Sequence, residues 1–79
     1  MDSIGDFFKQ VRETKGLTVD EVASKTRIRT DFVKALEEGN FAKLPDQVFA
    51  RGFVRSYARS LGLDEEDAIH RFIQSAGAF

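Results

Sequence analysis

Residues 18–39, TVDEVASKTRIRTDFVKALEEG, decide the fold of this chain. Thr18-Val19-Asp20-Glu21 has the spacing of a capping box, in which a threonine hydroxyl and a glutamate carboxylate reciprocally satisfy orphan backbone amides, so a helix begins here. It is short and ends near Thr26. Arg27-Ile28-Arg29 then forms a tight link, one apolar residue to plug a core between two basic ones. A second helix is expected from about residue 31 to 38, capped by Thr30 and stopped by Gly39, with Phe32, Val33 and Leu36 facing inward. Two short helices joined by so few residues make a helix-turn-helix unit.

The flanking segments read as helices too. Upstream, residues 3–15 place Ile4, Phe7, Phe8 and Val11 at core spacing, with Gly16 as a left-handed stop. Downstream, residues 40–46 form a loop in which Phe41 and Leu44 tuck under the bundle and Pro45 blocks helix before it. Asp46 caps a fourth helix that ends at Gly62. A fifth starts at the N-cap Asp64, whose following acids suit the helix dipole, and continues through Ile69, Phe72 and Ile73 to about Ala76. With no strand signal, internal repeat or low-complexity tract, the expected fold is an all-α, compact five-helix bundle containing a helix-turn-helix. Its 79 residues suffice for one modest core, so residues 1–76 are read as one domain and residues 77–79 as a tail.

Much chemistry is excluded by composition. The chain has no cysteine and one histidine, which removes metal sites built on those ligands and Cys–His nucleophilic sites, and the missing cysteines suit a reducing compartment. His70 lies four residues after Glu66, the spacing of an ordinary surface helix pair. The acids at 64–67 lack the liganding pattern of a calcium loop and read as a solvated helix start. Glycines 39, 52 and 62 match no phosphate-cradling motif, so neither an enzyme nor a cofactor is expected. No apolar run approaches the roughly 20 residues needed to cross a bilayer, and the start of the chain carries no secretory signal.

The fourth helix, FARGFVRSYARSLGL at residues 49–63, writes two surfaces onto one rod. Ala50, Val54, Tyr57, Ala58 and Leu61 share a core face; Phe49, Phe53 and Tyr57 form an aromatic stripe along its edge. Arg51, Arg55 and Arg59 lie opposite, with no acid from residue 47 to 63. The formal net charge of -1 argues against holding DNA by bulk electrostatics, although a local basic stripe could still act. In the DNA reading the second helix of the pair enters the major groove, yet its charged residues are Asp31, Lys34, Glu37 and Glu38. Lys25, Arg27, Arg29 and Lys34 would then contact phosphates while supplying little base readout.

In order and spacing, Thr26-Arg27-Ile28-Arg29, Leu36-Glu37-Glu38-Gly39-Asn40-Phe41 with Leu44-Pro45, and Arg51-Gly52-Phe53 with Tyr57-Ala58 and Leu61-Gly62-Leu63 form a specific set. The sequence resembles, over about residues 4–73, the cytoplasmic helix-turn-helix domain of RodZ, the bacterial cell-shape protein, within the Cro/C1 repressor-like class. The resemblance implies a cytoplasmic domain that binds the actin-like filament protein MreB, in a full-length protein anchored to the bacterial inner membrane by a segment downstream. It also implies an aromatic contact from the fourth helix, at positions matching Phe53 and Tyr57, where Phe53 lacks a hydroxyl for a polar partner. The expected partner-binding residues are thus Phe53 and Tyr57 as anchors, with Arg55, Arg59 and Lys34 as electrostatic trim. The alternatives are that Phe53 packs as plain core, that the domain is a DNA-binding regulator, and that the arginine face lies on anionic lipid.

Overall fold

Four of the five helices begin at a side chain that caps them. In the computed structural model, which describes residues 3–76, Ser3 Oγ accepts from the Asp6 amide at 3.1 Å and opens α1, Ile4–Thr14. Thr18 and Glu21 form the full capping box of α2, Val19–Thr26. Asp46 Oδ1 accepts from the Phe49 amide at 2.7 Å and starts α4, Gln47–Ser60. Asp64 Oδ1 accepts from the Asp67 amide at 2.8 Å ahead of α5, Glu65–Ala76. Each such bond satisfies an amide that the helix itself leaves unpaired.

The exception is α3, Thr30–Glu38. Thr30 was the expected cap, but it is the first helical residue: the N-cap is Arg29, which makes no side-chain cap bond, while the Thr30 hydroxyl donates to Asp20 at 3.4 Å. Asp31 Oδ1 takes the Phe32 amide at 3.1 Å instead. The link before α3 holds a second departure, because Arg27 closes α2 in the left-handed conformation at φ 58°. That region is disfavoured for a residue bearing a Cβ. Gly16, Gly39 and Gly62 stop the preceding helices at φ near +73°, as their positions in the sequence lead one to expect.

The helices pack with α4 between α2 and α5, and α1 against α3 and α5. Ile4, Phe8, Val22, Val33, Leu36, Ala50, Val54 and Phe72 are fully buried among them. α1 approaches α3 so closely that a Cβ on Gly5 would lie 2.5 Å from the carbonyl oxygens of Leu36 and Glu37. Only glycine fits there. A 3₁₀ turn at Phe41–Lys43 brings Leu44 into the core and sets Phe41 edge-on to Phe72 with centroids 5.5 Å apart. Ile73, further along α5, is 42% exposed. No helix among the described residues is long and apolar enough to cross a membrane, no strand occurs among them, and no three potential ligands gather to hold a metal. The tail 77–79 lies outside the described residues.

Candidate protein-interaction surface

The two aromatic residues expected to face a partner face the core. Phe53 is 1% exposed and Tyr57 0%, so neither is an anchor on the surface of the folded domain. Phe53 follows the alternative of plain core packing. Tyr57 stacks on Phe8 with centroids 4.3 Å apart, and its hydroxyl donates to the Glu37 carboxylate. Arg12 holds that same carboxylate by two bonds, Nε to Oε2 at 2.7 Å and Nη2 to Oε1 at 3.1 Å, and its Nη1 donates to the Leu17 carbonyl at 2.8 Å.

This buried triad joins α1, α3 and α4. Its charges offset each other and no buried side-chain nitrogen or oxygen among the described residues lacks a hydrogen-bond partner, the condition under which buried ionic groups are tolerated. Burial, and next the bond to Glu37, pushes the Tyr57 phenol well above its ordinary value. The bond to Glu37 likewise raises the Arg12 guanidinium. Arg12 and Glu37 escaped the sequence reading, yet both carried a signal. Arg12 continues the i, i+4, i+8 series of Ile4 and Phe8, and Glu37 lies four residues after Val33. Opposite charges on two apolar stripes identify a buried pair.

The arginine row divides. Arg55 donates to Glu66, and Arg59 donates through Nε and Nη2 to Glu65 at 3.0 and 3.1 Å. That pairing raises the Arg59 guanidinium and lowers the Glu65 carboxyl. Two of the expected trim residues therefore staple α4 to the acidic start of α5. Glu66 reaches Arg55 rather than the His70 its spacing suggested. Among the described residues, Arg51 makes no ion pair.

What remains outward on α4 is its N-terminal half. Val48 is 82% exposed, and Gly52, one turn on, is also open to solvent. Phe49, part of the aromatic stripe, is half-buried and meets half-buried Phe32 of α3 edge-to-face at 5.3 Å. Behind it, Phe53 lies 6.2 Å away. Beside Phe32 opens a cavity of about 390 Å³ whose lining includes Asp31, Lys34, Glu38 and Lys43. The exposed Lys34 thus stands next to the aromatic edge, although Phe53 and Tyr57 do not.

The basic turn is also on the surface, with Lys25, Arg27 and Arg29 all exposed. Arg29 is held by Asp31 at 3.1 Å and lies 5.1 Å over the Phe32 ring. Glu37, counted from the sequence among the acids that would repel phosphate, points inward. The outward charges of α3 reduce to Asp31, Lys34 and Glu38.

The chain is similar to known proteins. The profile of a helix-turn-helix domain family matches residues 7–68. The chain belongs to that family. It is 34% identical over 64 residues to the cytoskeleton protein RodZ of Streptococcus pneumoniae, covering 81% of this chain and 23% of that protein. It is 34% identical over 50 residues to an uncharacterized membrane protein, YmfM, of Bacillus subtilis, covering 63% of this chain and 17% of the relative. The chain therefore spans about a fifth of these relatives' length. A solved structure of YmfM from Staphylococcus aureus, described as a candidate DNA-binding membrane protein, superposes with a TM-score of 0.86 at 23% identity over 99% of this chain and 100% of that one. That likeness shows the fold, an all-α helix-turn-helix domain. The family and these relatives are named as helix-turn-helix, cytoskeletal or membrane proteins, and none as an enzyme.

Proposed function

We propose that this is a non-enzymatic, cytoplasmic interaction domain of a RodZ-like cell-shape protein, that it binds the actin-like filament protein MreB, and that the full-length protein is anchored in the bacterial inner membrane. The kinship with a cytoskeleton protein and with a membrane protein supports the class of function. The observation that carries the location is the half-buried Phe32–Phe49 pair beside the exposed Val48. Aromatic residues at the centre of an interface contribute about 2 kcal/mol or more each, whereas exposed charges at its rim contribute little.

The contact is therefore recentred from Phe53 and Tyr57 to Phe49, Phe32 and Val48, with Lys34 at the border. Arg55 and Arg59 serve it indirectly by fixing α4 on α5. Titration of purified MreB with the domain tests this: Phe49→Ala should weaken binding at least tenfold while leaving the circular dichroism spectrum unchanged. Parental affinity in a folded Phe49→Ala variant would remove the proposed site.

A second reading is favoured by one observation, the inward turn of Glu37, which makes α3 less repulsive to phosphate than its sequence suggests. In that reading the domain binds DNA through Lys25, Arg27, Arg29 and Lys34. Titration with duplex DNA at two salt concentrations separates the readings, because phosphate-driven binding must weaken steeply with salt. Absence of binding at low salt rejects it.

A further inference from the structure

Gly52 is a glycine that the domain itself does not need. It lies inside α4, where glycine costs about 1 kcal/mol relative to alanine, and its φ is not positive. A Cβ built on it would meet nothing within 4 Å. Gly5, by contrast, would drive a Cβ into backbone at 2.5 Å. Packing therefore accounts for the glycine at position 5 and not for the one at position 52.

The surroundings of Gly52 say what approaches it. Val48, one turn before it on the same face, is 82% exposed, a large apolar side chain without cover. Phe49, three residues before it, supplies a half-buried aromatic edge. Arg51 makes no ion pair among the described residues, whereas Arg55 and Arg59 on the same helix are matched by Glu66 and Glu65. A helix that bares its backbone between an apolar knob and an unmatched cation fits a partner whose main chain comes close at the glycine and whose carboxylate lies nearby.

We propose that Gly52 is the point of closest approach of a protein partner, with Val48 seated against apolar partner surface and Arg51 paired with a partner carboxylate. This rests on the reading that the outer edge of α4 is the docking surface for MreB, and it specifies the chemistry of the occupant: a close-packed, acidic protein segment. A free cation beside an apolar contact selects such a segment over a second copy of this face, which would set Arg51 against its own positive charge.

The test separates stability from binding. Gly52→Ala should fold and raise Tm by about 4 °C or more, as replacing an exposed helical glycine does in a domain of this size. Its affinity for purified MreB should fall at least tenfold, because the added methyl holds the two backbones apart. Arg51→Glu should keep the parental Tm and likewise lose affinity, by more at low salt than at high salt. Parental affinity in both variants overturns the inference while leaving the proposed function standing, provided that Phe49→Ala still binds weakly. No binding by the parent domain itself rejects both.

Discussion

The two halves of α4 use the same residue types for opposite purposes. Toward its middle, Phe53 and Tyr57 point inward and are sealed, the tyrosine hydroxyl ending on Glu37 and the ring on Phe8. At its start, Phe49 is only half-buried against Phe32, and Val48 and Gly52 face solvent. The difference teaches that an aromatic stripe on a helix is not one surface: each ring belongs to whatever the neighbouring helices leave for it. α1 and α3 cover the position of Tyr57. Nothing among the described residues covers Val48.

The largest effects should come from the sealed half. Glu37→Ala leaves the buried Arg12 guanidinium and the Tyr57 hydroxyl without their acceptor, and should cost about 3–5 kcal/mol in urea denaturation. Phe53→Ala opens a cavity between α4 and its neighbours and should cost a similar amount, about 3–5 kcal/mol. Either cost is a large share of the stability of so small a domain. A loss below about 1 kcal/mol in both would contradict the burial described for them.

Tyr57→Phe keeps the ring and the Arg12–Glu37 pair and removes one charge-assisted bond, so it should cost about 1.5–3 kcal/mol. It also carries a signature in pH. The phenol is pushed upward in the folded state, so the fold favours the protonated form. That contribution is complete below the unfolded value near 10 and is lost as the pH rises above it. Denaturation midpoints of the parent should decline above about pH 10 more steeply than those of Tyr57→Phe, and parallel curves would break the assignment. The smallest effect belongs to the staple on α5: Arg55→Ala removes a solvent-screened pair and should change stability by less than about 1 kcal/mol.

The helix boundaries were legible because each carries local chemistry: the Thr18 capping box, the Asp46 and Asp64 caps, and the glycines at 16, 39 and 62. Thr30 misled because its hydroxyl is drawn to Asp20 in another helix, a contact that no local pattern encodes. Arg27 could not be foreseen in a left-handed conformation, since the α2–α3 packing imposes it on a residue type that resists it. At the site, the sequence identified the aromatic edge of α4 but not how far along it the surface begins. Helical periodicity leaves Phe49, Phe53 and Tyr57 only slightly apart in angle; what divides them is how far the neighbouring helices cover each ring. Glu37 shows the same limit from the other side. Its charge suggested a solvated acid, whereas its place four residues after Val33 held the correct answer.

Chemical-shift mapping of the isotopically labelled domain on addition of MreB tests the division of α4 most directly. The account predicts that perturbed amides cluster at Val48, Phe49, Arg51, Gly52 and Phe32, with Phe8 and Tyr57 little changed. Perturbation centred on Lys25, Arg27 and Arg29 with the start of α4 silent would contradict it.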